Sequence, residues 1–251
     1  MTKLKMMAAV AGLALASAAA PASAADFVLN LSSTGSGSGA YRNYTFQLDG
    51  KTVNARATAW STNSATSTTV YDANLGVWAE GLGVLNDRET NTGNVHTIDN
   101  QDGLDFVLLQ FDTAVTLSKL TTSPFQISNS IDSDAYVAWG NASNAWNQSL
   151  GLNNTSYNKL AAMLDGNTTL VGDNTKSTRT ISGATASNLW LVGAAIGGGP
   201  DGKIDGFKLS NVTVSSAVPE PATWMMMIGG FAMVGAAVRR RKGVTTGAAV
   251  A

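Results

Sequence analysis

Asp99, Asn100, Asp102 and Asp105 stand within seven residues of one another, around Gly103. Side-chain oxygens at that density are hard ligands, and hard ligands suit Ca²⁺. The spacing is not that of an EF-hand loop. With Asp102-Gly103 placed at its fifth and sixth positions, Ile98 falls on the first. Residues 201–206, Asp-Gly-Lys-Ile-Asp-Gly, fail in a similar way, because Lys203 takes a ligand slot. Asp87, Glu89, Asp132 and Asp134 are carboxylates that other loops could add to the same ion. The competing reading is that these acids are solvated turn formers, since Asx side chains routinely build turns. If calcium is held at Asp99, Asn100, Asp102 and Asp105, a chelator should lower the thermal midpoint.

Other chemistry is constrained by what the chain lacks. It has one histidine, His96, so any Ser-His-Asp arrangement must use it. There is no Gly-x-Ser-x-Gly elbow and no His-Glu-x-x-His pair. A glycan hydrolase needs two facing carboxylates, and the sequence places no such pair. The reading is therefore non-enzymatic, with glycan hydrolysis as the enzymatic alternative. His96 and Asp99 stand just before a strongly apolar segment. They read either as a site at a sheet edge or as residues that hydrogen-bond the loop backbone, and the second is the simpler. Cysteine is absent, which removes thiol and disulfide chemistry. Trp60, Trp78, Trp139 and Trp190 lie in strand patterns and belong to a core. Trp146, between Asn144 and Asn147-Gln148, is the tryptophan best placed to stack on a sugar ring.

The elements that must position these residues are mostly strands. Residues 44–48 and 52–60 alternate apolar and polar, and Asp49-Gly50 between them is a hairpin turn. Residues 69–71 and 75–79 read as two short strands. Residues 105–111 form the most hydrophobic interior run, too short for a typical helix, and read as a buried strand. Residues 115–120 alternate strictly and read as its antiparallel neighbour. Residues 135–139, 189–196 and 207–214 complete the set. Tyr157, Leu160, Ala161 and Leu164 have helical spacing, with Asn154 or Thr155 to cap a short surface helix and Gly166 to end it. Residues 62–69 and 172–188 are Ser/Thr/Asn/Gly-rich and read as loops. The fold class is all-β, an antiparallel sandwich or jelly roll.

The two ends differ from this body. Lys3 and Lys5, an apolar run over 6–20 and Ala22-Ser23-Ala24 read as a signal peptide over 1–24. The body, 25–217, holds ten Lys and Arg against sixteen Asp and Glu. That balance lacks the basic footprint of a nucleic-acid binder. Val218-Pro219-Glu220-Pro221-Ala222-Thr223-Trp224 opens the other end. An apolar run and Arg239-Arg240-Arg241-Lys242 follow it. The 17 residues of 222–238 span about 25 Å as a helix, at the low end for a hydrocarbon core of ~30 Å. No polar face interrupts the run. The prolines keep the last strand from continuing into it. The cations place residues 243–251 in the cytoplasm and the body outside.

This tail, 218–242, resembles the PEP-CTERM sorting signal in its Pro-Glu-Pro-x-x-Trp-Ala variant. The matching residues are Pro219, Glu220, Pro221, Trp224, Arg239, Arg240 and Arg241. The resemblance implies export by a Gram-negative bacterium and transient anchoring of the precursor in the inner membrane. It also implies cleavage by an exosortase, a membrane protease. Residues 81–84, 96–100, 105–111, 132–134, 189–194 and 205–209 are similar to a recurring block of exosortase-dependent surface proteins, which implies a β-sandwich ectodomain and brings no catalytic residues. The same resemblance suggests a matrix exopolysaccharide as partner. The leading expectation is a structural or adhesive protein of the cell surface or extracellular matrix. The alternatives are a carbohydrate-binding module and an ice-binding protein; for the latter, Thr66-Ser67-Thr68 alone is not a Thr-x-Thr ladder.

Overall fold

Small apolar residues at every second position of 53–59 line the inside of a narrow barrel. In the computed structural model Val53, Ala55, Ala57 and Ala59 are buried while the residues between them are partly exposed. Small side chains are what a barrel of few strands can hold. The structure describes residues 26–32, 37–62, 64, 66–88, 94, 96–216, 228–235 and 239. Two units divide the chain: Ala25–Ala217, and Met1–Ala24 with Val218–Ala251.

The strands of the body begin with β1 (Asp26–Asn30), β2 (Gly37–Gly39), β3 (Arg42–Leu48), β4 (Lys51–Thr62), β5 (Thr69–Trp78) and β6 (Gly81–Leu85). The middle of the chain supplies β7 (Ile98–Asp99), β8 (Asp105–Pro124), β9 (Gln126–Ile127), β10 (Ser130–Ile131) and β11 (Ala135–Gly140). Then come β12 (Thr155–Ser156), a helix α1 (Tyr157–Ala161), β13 (Leu164–Leu170), β14 (Ser177–Thr180), β15 (Ser187–Ala194) and β16 (Gly206–Ser216). Among the described residues every pairing is antiparallel.

The chain is mostly β, as the alternation predicts, but the layers are not a sandwich of separate sheets. β16, β6, β5, β4 and β8 pair in that order, and β8 pairs β16 again, closing a five-stranded barrel. From β8 the same sheet runs on through β15, β11 and β13 as a wing. The long β8 makes this possible. Its first half pairs β4 and β15, and its second half pairs β16 and β14. Residues 105–111 and 115–120 are thus one strand of 20 residues rather than two neighbours. Asp112-Thr113-Ala114 between them lacks the glycine that follows aspartate in a tight hairpin such as Asp49-Gly50, and the chain stays extended with these three side chains in solvent. Register shifts near Ser118 and Ser210 are bulges. They let Leu117 and Leu120, and likewise Leu209 and Val212, face inward although each pair is three residues apart.

The hydrophobic run of β8 is buried on both faces. Val107, Leu109 and Phe111 join one core with Trp139 and Trp190. Phe106 and Leu108 join a second with Trp60, Leu189 and Leu191, roofed by Leu150, Leu152 and Leu160. Residues 69–71 and 75–79 fuse into β5, and 172–188 contains β14. The Asp49-Gly50 turn takes φ of 50° and 72°, the left-handed pair that a two-residue hairpin requires. The helix is shorter than its spacing predicts. Ser156 Oγ caps it by accepting from Asn158 N, and Leu164 already belongs to β13. Gly166 ends no helix. It pairs with Trp139, where a Cβ would come within 2.7 Å of the indole, so the strand passes over the ring only as glycine.

Candidate cation site and polar cleft

Two loops at one end of the wing bring three aspartates together. Asp132 and Asp134 lie between β10 and β11, and Asp205 directly precedes β16. Backbone bonds pin these segments to each other: Gly206 N to Asp132 O at 2.9 Å, and Ala195 N to Asp134 O at 3.1 Å. One carboxylate oxygen from each of the three lies within 4.8 Å of the others. The side chains are almost sealed, with residue exposures of 2%, 1% and 0% for Asp132, Asp134 and Asp205. The loop from β15 to β16 passes over them through Gly197, Gly198 and Gly199, all at positive φ. At Gly199 a Cβ would stand 2.1 Å from Asp134 Oδ2, so only glycine leaves room for that oxygen.

Most of the acceptors in the group are occupied. Asp205 Oδ1 accepts from Asp134 N at 2.8 Å and Oδ2 from Asn100 Nδ2 at 2.9 Å. Asp132 Oδ1 accepts from Ser133 N, and its Oδ2 meets Lys203 Nζ at 3.3 Å. Lys203 itself is shared with the exposed Asp201 at 2.5 Å. Asp134 Oδ1 accepts from Gly172 N at 2.5 Å, whereas Asp134 Oδ2 is buried with no partner. An unmatched buried acceptor costs roughly 1–3 kcal/mol, and more when charged. Burial pushes the Asp205 carboxyl up to about 7, against the pull of the Asp134 N–H, with the Asp134 and Asp132 charges adding to the rise. Burial also raises Asp134. The half-buried Arg179 guanidinium opposes this from the side, donating to Leu170 O and Thr122 Oγ1.

The four residues that the sequence singles out as one calcium set do not converge. Asp99 is buried and turns inward to Thr97 Oγ1 and Gln101 N, both at 3.0 Å. Burial raises its carboxyl to about 6. Asp102 is exposed and meets Gln101 Nε2 at 3.3 Å. Asp105 is buried and accepts from Asn86 Nδ2. Only Asn100 reaches the trio, through Asp205 and Ala195 O. Extended backbone around β7 sends consecutive side chains to opposite sides, which scatters a contiguous acidic run. Asp205 escapes a reading based on loop spacing because its partners lie in a different loop. The Asp-Ser-Asp before β11 and the Asp-Gly turn before β16 are the signals that carry it.

His96 packs on Trp78 at 4.6 Å, and burial with the nearby Lys208 lowers its pKa. Lys208 lies between Trp78 and Phe125, its Nζ 4.2 and 4.5 Å from the two ring centroids. His96 thus has an aromatic and a cationic neighbour, and the Glu80 carboxylate opposes their effect more weakly than burial and Lys208 promote it. Trp60, Trp139 and Trp190 are buried as the strand pattern predicts, and Trp78 is half-buried. Trp146 is half-buried too, in the segment before β12. That segment forms one wall of a cleft of about 290 Å³ on the outer face of β4 and β5, lined by Arg56, Trp60, Asp72, Gln110, Gln148 and Asn153. Arg56 donates to Asn147 O, and Gln110 Nε2 to Gln148 O at 3.2 Å, so the wall is tied to the barrel next to Trp146.

In the second unit, residues 228–235 are helical, with Ile228, Phe231, Met233 and Val234 exposed, and Arg239 is exposed. No helix among the described residues is long and apolar enough to cross a membrane. The signal-peptide residues, Glu89, Pro219, Glu220, Pro221, Trp224, Arg240 and Arg241 lie outside the described residues. Residues 217–242 match the family model of the PEP-CTERM protein-sorting motif. That motif implies export and processing by an exosortase-type membrane protein. No curated protein and no solved structure matches the chain.

Proposed function

We propose that this chain is a non-enzymatic protein of the cell surface or extracellular matrix of a Gram-negative bacterium, with a structural or adhesive role. The sorting motif at 217–242 carries this reading. The precursor is held in the inner membrane by residues 222–238, whose exposed Ile228, Phe231, Met233 and Val234 suit lipid. A processing protease recognises Pro219-Glu220-Pro221 and the helix, and the body, 25–217, is left outside. That body is a compact unit with its own cores, so the tail can be removed without opening it. The test is mass spectrometry of the protein from cell fractions with and without the protease. The expected result is a body trimmed at both ends in the extracellular fraction, and a full tail in the membrane fraction of the protease-deficient strain. Identical tails in both strains would overturn it.

The cleft favours a second reading, binding of a matrix polysaccharide. Guanidinium, carboxylate and amide groups line it together with Trp60, and Trp146 precedes the lining residues Gln148 to Leu150; such groups recognise sugar hydroxyls and ring faces. Affinity blotting on a glycan panel should show retention that Trp146→Ala and Arg56→Ala weaken. Equal retention of all three proteins on every glycan would remove this surface from consideration.

A further inference from the structure

We infer that Asp132, Asp134 and Asp205 form a calcium-binding site. The observation that carries the inference is Asp134 Oδ2, an oxygen shielded from water with no hydrogen-bond partner on a residue that is 1% exposed. Its neighbours fit ionised carboxylates. Both oxygens of Asp205 receive N–H donors, and both oxygens of Asp132 face donors as well. Lys203 reaches Asp132 within the trio and is otherwise spent on Asp201. Arg179 acts on all three from the side, and three carboxylates still outnumber the two cations, Arg179 and the shared Lys203.

The donor set selects the ion. All three ligands are carboxylate oxygens, with no nitrogen or sulfur to favour a transition metal. Three oxygens that all lie within 4.8 Å of one another can share one ion, and calcium takes carboxylate oxygens in a flexible geometry that suits ligands fixed by separate loops. Magnesium demands near-ideal octahedral geometry and usually keeps several waters, which this nearly sealed trio of carboxylates does not favour. The loops are held by backbone bonds across β11, β15 and β16, and Gly199 keeps the space beside Asp134 open. Lys203 sits at the rim as a tethered competitor, with 58% of its side chain exposed.

The test uses the purified full chain in detergent micelles, with CaCl₂ alone as the probe. Calorimetric titration should show one saturable site, and the thermal midpoint should rise in CaCl₂ relative to EGTA. Asp134→Asn keeps the shape and an acceptor for Gly172 N. It should weaken binding by about tenfold or more, with a midpoint in EGTA no lower than that of the wild type. Lys203→Gln changes a solvent-exposed side chain and should tighten binding by severalfold. This second variant decides the matter if Asp134→Asn fails to fold. Absence of saturable binding, wild-type affinity in Asp134→Asn, unchanged affinity in Lys203→Gln, or an equal midpoint rise with MgCl₂ would each overturn the assignment.

Discussion

The acidic stretch 99–105 and the trio of Asp132, Asp134 and Asp205 are built from the same residue type and end in opposite arrangements. In the stretch, each carboxylate finds its own partner: Thr97 and Gln101 for Asp99, Gln101 for Asp102, Asn86 for Asp105. In the trio, three carboxylates share one enclosed space and one oxygen has no donor. Proximity along the chain therefore says little about shared coordination. What matters is whether strand pairing sends the side chains to the same side. Asn100 belongs to the stretch by sequence and to the trio by contact, and it is the joint between the two.

The sharpest break of this contrast is Asn100→Ala. It leaves Asp205 N–H without its acceptor and removes a donor from Asp205 Oδ2. The expected loss is roughly 2–4 kcal/mol, read from the urea midpoint. A loss near that of an exposed site would show that the joint is not structural.

The next effect is in pH. Burial raises Asp205 to about 7 and Asp99 to about 6, both above the ordinary aspartate value of 3.8. The folded state then holds these protons more tightly than the unfolded one, so stability falls as pH rises. The contribution is fully present below the ordinary value and is lost by about 6 for Asp99 and about 7 for Asp205. In EGTA, stability should change between pH 4 and 8 by on the order of 2 kcal/mol for Asp99 and on the order of 3–4 kcal/mol for Asp205. Asp99→Asn should flatten the lower part of the profile, and Asp205→Asn the upper part. Calcium should flatten the upper part only. Flattening of both by calcium would erase the distinction between the regions.

The smallest effect is expected at Asp102→Asn. The side chain is exposed, and its hydrogen bond to Gln101 is 3.3 Å long. Stability should stay within about 0.5 kcal/mol of the wild type, with calcium titration unchanged. A clear loss of calcium affinity would move the site back into the contiguous stretch.

Local patterns were readable in proportion to how local their cause is. Asp49-Gly50 specifies its hairpin because the required φ values belong to those two residues. The run 105–111 reads as a buried strand because both its faces meet apolar cores. The helix over-reads because Leu164 satisfies helical spacing and yet is claimed by pairing with Gly140. Pairing with a distant strand overrode the local preference. The join of 105–111 to 115–120 was hidden for a related reason. A solvent-exposed stretch inside a strand and a turn carry similar residues, and only the partners on either side, β4 and β16, distinguish them.

The amino-acid order alone determined the β character of the body, the absence of thiol chemistry and the sorting motif at 217–242, because each is written in neighbouring residues. Barrel closure and the meeting of the three aspartates were decided only by the tertiary structure. Asp205 accepts from the backbone of a residue 71 positions away. That contact depends on hydrogen-bond register across several strands, which no local spacing encodes.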